Sequence, residues 1–166
     1  MGVTRGAASP DLAEVLGADE TLTFADTLVR CTHLINHVFA DVSREHGLTP
    51  QRTQLICMLT RGPLPMRELG RLLHLEKSGL TGLVDRVEER GLIVRQPDAN
   101  DRRAWNLALT PSGATIAADC HAAITARIEA LAADIPAPAR STVVSALQGL
   151  LQAHTAMTGR PWKLPS

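Results

Sequence analysis

Aromatic residues are scarce in this 166-residue sequence, which has no tyrosine, two phenylalanines and two tryptophans. Proteins that bind single-stranded nucleic acid use aromatic side chains as platforms on which successive bases stack. The sequence therefore argues against a single-strand binding protein.

Long apolar segments are missing as well. No stretch reaches the roughly 18 apolar residues that a helix needs to cross a bilayer, and residues 1–10 lack the apolar core of a secretory signal. We therefore expect a cytoplasmic protein with no membrane partner and a disordered N-terminal segment at residues 1–18.

Cysteine is also sparse. Cys31, Cys57 and Cys120 are an odd number at wide spacings, which excludes a disulfide framework. Each lies in apolar sequence typical of a helix, so we expect buried free thiols. A thiol-based redox regulator is an alternative that these residues leave open. An apolar content of 45% is enough for one domain to fold without disulfides, a metal or a cofactor.

The formal net charge is zero, which argues against a protein that coats nucleic acid non-specifically. The charges are unevenly distributed, however. Residues 61–103 carry nine basic and seven acidic side chains, whereas residues 1–60 carry four basic and seven acidic ones. The positive excess is small, and it falls on the segment that the following patterns assign to DNA binding.

Apolar periodicity and capping residues predict six helices and one hairpin. The predicted helices cover 19–46, 50–61, 65–73, 76–90, 111–134 and 139–157, and Gly47, Gly62-Pro63 and Gly91 end the first, second and fourth of them. Thr49-Pro50 and Thr110-Pro111 pair a side-chain cap with a proline in the first helical turn. The hairpin strands are 93–96 and 105–109, and Trp105 is expected to pack in the core because it alternates with Leu107 and Leu109.

The order of these elements predicts the fold class, which is mainly α with a small β-hairpin wing. A short turn, an amphipathic helix and a hairpin follow one another between residues 69 and 110, the layout of a winged helix-turn-helix. We expect a DNA-binding domain at 48–110, a helical dimerisation region at 19–47 and 111–157, and a tail at 158–166.

Several motifs in this layout resemble the MarR family of transcriptional regulators. The resemblance covers about residues 20–157, and its motifs are Leu48-Thr49-Pro50-Gln51, Glu68-Leu69, the segment 84–93 (VDRVEERGLI), Asp101-Arg102-Arg103-Ala104 and Leu109-Thr110-Pro111-Ser112-Gly113. It implies a homodimer that responds to a small molecule, with the first, fifth and sixth helices at the dimer interface. We expect a repressor of transcription that an effector releases from DNA.

The fourth predicted helix supplies candidates for reading bases. Lys77, Ser78 and Thr81 lie on its polar side near its start, where short donors reach base edges and phosphates. Gly79 and Gly82 are unusual inside a helix, since each costs about 1 kcal/mol relative to alanine. We expect these glycines to allow a close approach of the backbone to DNA or to the third helix.

Arginines supply the other DNA-binding candidates. Arg103, with Arg102 beside it, is expected to extend from the wing tip into the minor groove, where a guanidinium meets the enhanced negative potential of A·T-rich DNA. Asp101 is expected to orient Arg103 through a charge-assisted bond. Arg67 and Arg86 are candidate phosphate contacts.

The first helix carries a row of polar residues that raises two further hypotheses. His33, His37 and Asp41 follow one another at intervals of four residues, which suggests a metal-responsive regulator as an alternative. A solvated polar stripe accounts for the same row, and no metal site is predicted. Arg30, His33 and His37 are candidates for receiving an aromatic or anionic effector. The sequence holds no phosphate-binding loop or nucleophile elbow, so we do not expect an enzyme.

Overall fold

The computed structural model describes residues 22–98 and 104–159. The predicted disordered segment, the wing-tip residues Asp101, Arg102 and Arg103, and the predicted tail beyond Gly159 lie outside the described residues. Two compact units divide between Asn36 and His37.

The described residues form six helices and three strands. The helices are α1 (Phe24–Glu45), α2 (Pro50–Met58), α3 (Met66–Leu72), α4 (Lys77–Glu88), α5 (Pro111–Leu131) and α6 (Ala137–Thr158), with a 3₁₀ turn at Leu59–Arg61. The strands are β1 (Leu64–Pro65), β2 (Ile93–Pro97) and β3 (Trp105–Leu109). The predicted fold class is confirmed. None of the helices in the described ranges is long and apolar enough to cross a bilayer.

Helix α1 begins at Phe24, later than the sequence pattern indicated, because Thr23 and Asp26 form a reciprocal cap. The Thr23 hydroxyl donates to the Asp26 carboxylate at 2.6 Å, and the Asp26 amide donates back to the hydroxyl oxygen at 3.2 Å. The hydrogen bond from Thr23 lowers the pKa of Asp26. Two hydrogen-bonding groups at the helix start are thereby satisfied, which fixes the first turn.

The C-terminal end of α1 is held by two arginines from elsewhere in the second unit. Gly47 ends the helix with φ of +63°, as predicted, and its carbonyl accepts a bond of 2.5 Å from the Arg90 guanidinium. Arg127 of α5 donates to both carboxylate oxygens of Glu45 at 2.7 Å. The residues after α4 and the last turns of α5 are therefore both bonded to the end of α1.

The core of the second unit forms around α2. Thr49 caps this helix by accepting from the Arg52 amide at 3.4 Å, and Pro50 occupies the first turn, as expected. The predicted apolar set is buried, and it packs with α4, α5 and the sheet in one cluster that includes Leu55, Ile56, Leu69, Val84, Val87, Leu107, Ala117 and Cys120. Helix α2 ends at Met58 and continues as the 3₁₀ turn to Arg61.

The sheet has three antiparallel strands in the order β1-β3-β2, one more than the predicted hairpin. In β1, Leu64 pairs with Leu107 and Pro65 with Asn106. The prediction assigned Pro65 to the third helix, but that helix begins at Met66. A two-residue strand is too short to show an alternation of polarity, and for this reason the sequence pattern did not reveal it.

Trp105 is not a core residue, contrary to the prediction from its alternation with Leu107. Its side chain is 47% exposed, whereas Leu107 is fully buried. The register explains the difference, because Trp105 pairs with Pro97 at the outer end of the hairpin while Leu107 pairs with Arg95 in its middle. Residues at the outer end extend past the helices that cover the sheet's inner face.

The start of α5 packs directly against the residue that precedes β2. Thr110 caps α5 by accepting from the Gly113 amide at 3.0 Å, and its hydroxyl donates to the Gly91 carbonyl at 2.6 Å. The Thr110 amide donates to the Leu92 carbonyl at 3.0 Å. A Cβ added at Gly113 would lie 1.8 Å from that same Leu92 oxygen, so only glycine fits at this position.

Helix α6 begins at Ala137 and carries Pro138 in its first turn, a position that tolerates proline. Pro138 therefore starts this helix, whereas the sequence pattern placed it before the helix. The apolar residues predicted to face inward are all exposed: Val143, Val144, Leu147, Leu150 and Leu151. Nothing within the described part of the chain covers them, and α6 has no buried residue.

We predict that Gly113→Ala lowers the free energy of unfolding by about 3 kcal/mol, because the new methyl group would overlap the Leu92 carbonyl. Urea unfolding followed by circular dichroism measures the change. Gly79→Ala is the matched control, since its Cβ would meet the Leu75 side chain at an ordinary 3.9 Å. This control should be more stable than the parent by about 0.5–1 kcal/mol, and equal stabilities for the two variants would contradict the close packing.

Candidate nucleic-acid interface

The turn between α3 and α4 is tight and strained at one residue. His74 has φ of +51°, a left-handed conformation that residues other than glycine adopt infrequently. The Leu75 amide donates to the Gly70 carbonyl at 2.9 Å, which closes the end of α3. A Cβ at Gly70 would lie 3.3 Å from the Leu80 side chain, so the two helices approach closely. This geometry is that of a helix-turn-helix.

Helix α4 has one buried face and one exposed polar face. Leu80, Leu83, Val84 and Val87 are buried, as the periodicity predicted. The predicted base-reading residues lie on the opposite side, where Lys77, Ser78, Gly79 and Thr81 are exposed and Gly82 is half-buried. The Thr81 hydroxyl donates to the Lys77 carbonyl at 2.8 Å, so its oxygen remains able to accept a bond from a base.

The two glycines of α4 are not both explained by packing within the chain. A Cβ at Gly79 would make only an ordinary contact with Leu75. A Cβ at Gly82 would meet the guanidinium of Arg86 at 3.7 Å, so Arg86 lies along the helix surface over Gly82. Neither position has a left-handed φ. The internal packing therefore tolerates alanine at Gly79, and the glycine there calls for an explanation outside the chain.

A cleft of about 740 Å³ lies between α3 and α4, and its rim is cationic. The cleft is lined by Met66, Arg67, Gly70, Arg71, His74, Leu75, Glu76, Lys77, Leu80 and Thr81. Arg67 was predicted as a phosphate contact, but Arg71 was not. Arg71 follows Arg67 at an interval of four residues, a spacing that places both on one helix face and could have revealed it.

The hairpin of β2 and β3 forms the base of the predicted wing. The Asp98 amide donates to the Ala104 carbonyl at 3.1 Å, and the Asn106 side-chain amide donates to the Asp98 carboxylate at 2.9 Å. These bonds bracket the segment that contains Asp101, Arg102 and Arg103. The roles predicted for those three residues fall outside the described residues.

A second arginine that the sequence analysis missed joins the wing to α4. The guanidinium of Arg95, on β2, forms ion pairs with both Asp85 and Glu88 of α4. Its backbone amide also donates to Glu88 at 3.2 Å. The sequence signal was the position of Arg95 two residues after the buried Ile93, which places it on the strand face that packs on the helix.

The polar row on α1 does not form a metal site in the structure. Arg30, His33, His37 and Asp41 are all exposed, and Asp41 pairs with Arg44 at 3.1 Å. Within residues 22–98 and 104–159, no three side chains of the metal-ligating types lie close enough together to hold an ion. The geometry thus gives the metal-responsive alternative no support.

The cysteines differ in their surroundings. Cys31 is exposed, contrary to the expectation of burial, whereas Cys57 is half-buried and Cys120 is buried. Burial, with a further contribution from the neighbouring Cys120, raises the pKa of Cys57 to about 11. Burial also raises the pKa of Cys120. Since the thiolate is the reactive form, Cys57 and Cys120 have the character of unreactive core thiols.

Known proteins share both the sequence and the fold of this region. The sequence model of the MarR family matches residues 46–104, which contain the helix-turn-helix and most of the hairpin. The chain belongs to the MarR family. The uncharacterized HTH-type transcriptional regulator YkoM of Bacillus subtilis is 35% identical to it over 72 residues, which are 43% of this chain and 47% of the relative.

Solved MarR-family structures show the same fold. Apo MarR from E. coli superposes with a TM-score of 0.70 at 21% identity, covering 80% of this chain and 99% of that one. NadR in complex with 4-hydroxyphenylacetate superposes with a TM-score of 0.65 at 22% identity, covering 80% of this chain and 95% of NadR. The sequence match to YkoM spans about half the length of that relative.

We predict that iodoacetamide labels Cys31 well before Cys57 at pH 8, as followed by mass spectrometry of the peptides. With a pKa raised to about 11, Cys57 carries about one thiolate in a thousand molecules at that pH, and the fraction increases only as the pH approaches that value. All three cysteines should be labelled at similar rates in denaturant. Equal rates at Cys31 and Cys57 in the folded protein would contradict the raised pKa.

Proposed function

We propose that this MarR-family chain is a sequence-specific, DNA-binding regulator of transcription, and that α4 enters the major groove. The observation that carries the proposal is the exposed polar face of α4 beside the cationic cleft. Lys77, Ser78 and Thr81 face outward together, while Arg67 and Arg71 line the cleft that opens next to them. Base edges would meet the first set and phosphates the second.

The remaining candidates extend this interface. Arg86 lies along the surface of α4 and would contact phosphate. Arg103 would enter the minor groove from the wing tip with Arg102 beside it, and Asp101 would orient Arg103. The small surfaces of Gly79 and Gly82 would let the helix backbone approach the DNA closely.

A second copy of the chain is the partner that we propose for α6. Residues 141–158 contain no charged side chain, and Val143, Leu147, Leu150 and Leu151 are exposed on α6 at helical spacing. An apolar surface of this kind is typical of an interface between proteins. A two-fold dimer would present two copies of α4 about 34–36 Å apart, which matches half-sites one turn of DNA apart.

We further propose that a small aromatic or anionic effector releases a repressor of this kind from DNA. NadR, which shares the fold, was solved with 4-hydroxyphenylacetate, an aromatic acid. An effector acts by its differential affinity for two states, and a coupling of about 1–3 kcal/mol changes DNA affinity by about five- to 150-fold. Arg30, His33 and His37, all exposed on α1, are the candidates for a carboxylate. Since its target is DNA, we place the protein in the cytoplasm and assign it no enzymatic activity.

The proposed function is tested by selecting duplexes from a random-sequence pool with the full chain. We predict that the selection enriches a pseudo-palindromic site, and that Lys77→Ala and Thr81→Ala each alter the enriched sequence, because each removes a contact to base edges worth about 1–3 kcal/mol. Arg67→Ala and Arg71→Ala should instead weaken all duplexes alike and reduce the salt dependence of binding by about one ion each.

Arg140→Ala is the matched control, since Arg140 pairs with Glu129 outside α3 and α4. Its binding should equal that of the parent. If the parent chain enriches no sequence from the pool, the proposed function is wrong.

The dimer is tested separately by sedimentation equilibrium. We predict a dimer at micromolar concentration, and a monomer for the double variant Leu147→Asp with Leu151→Asp, because a buried carboxylate without a partner is strongly unfavourable. Gln148→Asp adds a charge to the same helix beside the apolar row and should leave the dimer intact. A monomeric parent, or a dimer that tolerates both aspartates, would contradict this role of α6.

A further inference from the structure

Arg95 occupies a defined position on the inner face of the wing. Along β2, Ile93 is buried, Val94 is exposed and Arg95 is half-buried. This alternation places Ile93 and Arg95 on the same face of the strand, the one toward α4. Arg95 pairs with the buried Leu107 of β3 in the middle of the hairpin. The strand therefore directs a long cationic side chain toward the helix from a fixed point.

The contacts of Arg95 are made entirely to α4. One terminal nitrogen of the guanidinium pairs with Glu88 and the other with Asp85. The other oxygen of Glu88 accepts the Arg95 amide at 3.2 Å. Asp85 and Glu88 lie one helical turn apart, so a single arginine spans both. The planar guanidinium, with donors in a fixed geometry, suits such a bridge, and a lysine could not reproduce it.

Asp85 shares a surface with the residues that face DNA in the proposed function. It lines a shallow depression together with Lys77, Ser78 and Thr81, and it follows Thr81 by four residues. Its side chain is 47% exposed, whereas that of Arg95 is 27% exposed. A carboxylate without a partner at this position would repel the phosphates of a duplex, and Arg95 supplies the compensating charge.

We propose that Arg95 is a positioning residue that ties the wing to α4 and cancels the negative charge of Asp85 and Glu88 beside the DNA-binding face. Without it, the hairpin would retain its ladder with β1 and β2 but would lose its ionic attachment to the helix. The recognition helix would also present two uncompensated carboxylates. This inference rests on the proposed function for its effect on DNA, while the attachment of the wing can be measured without DNA.

The first measurement is hydrogen exchange of the free protein. Arg95→Gln should reduce the protection of the amides of residues 93–97 and 105–109 by about tenfold, the size expected when one coupled pair in a network is lost. The protection of α2 should change less. Arg127→Gln, which breaks the ion pair with Glu45, is the matched control and should leave the exchange of the wing unchanged. Equal protection in Arg95→Gln and the parent would overturn the attachment.

The second measurement is affinity for the duplex that the parent chain enriches from the random pool, with an unrelated duplex of equal length beside it. Arg95→Gln should bind both about tenfold more weakly, and Arg127→Gln should bind like the parent. Adding Asp85→Asn and Glu88→Gln to Arg95→Gln should restore most of the affinity, because the triple variant leaves no uncompensated carboxylate.

The outcomes distinguish the roles. If the triple variant binds no better than Arg95→Gln, and the salt dependence falls by about one ion, Arg95 contacts phosphate directly and charge compensation is wrong. If Arg95→Gln binds like the parent, Arg95 has no role in DNA binding and the inference is overturned. If the parent binds no duplex, the proposed function and the compensating role fail together, and the exchange measurement alone decides the attachment of the wing.

Discussion

The close packing of Gly113 on the Leu92 carbonyl is the constraint on which the rest of the second unit depends. The first turn of α5, the end of α4 and the start of β2 meet there, and Thr110 bonds to Gly91 and Leu92 as well as to its own helix. A carbonyl that lies this near to a helix leaves no room for a side chain. The long helix that follows the wing is consequently placed by backbone contacts, which a change of side chains elsewhere does not disturb.

Much of the fold could be predicted because its elements carry local signals. Thr49-Pro50 and Thr110-Pro111 mark helix starts through a side-chain acceptor and a fixed φ, and both caps are present. Gly47 and Gly91 mark helix ends because their left-handed φ values suit glycine. The exposed polar start of α4 followed from helical periodicity alone.

The features that were missed depend on contacts between distant residues. Strand β1 is defined by its pairing with β3, the exposure of Trp105 by the end of the ladder, and the role of Arg95 by two carboxylates on another element. Local sequence does not encode such pairings. The exposure of Cys31 and of the apolar row on α6 has a related origin, since periodicity identifies an apolar face without showing what covers it.

The bareness of α6 has a thermodynamic consequence for the chain. A 22-residue helix with no buried residue gains little stability from its own propensity, because isolated helices are marginal in water even when they are alanine-rich. What stabilises it must come from another molecule, so by mass action the unfolding temperature rises with protein concentration. Dilution is then a denaturing condition in its own right, and the amount of protein in the cell sets how much of it is fully folded.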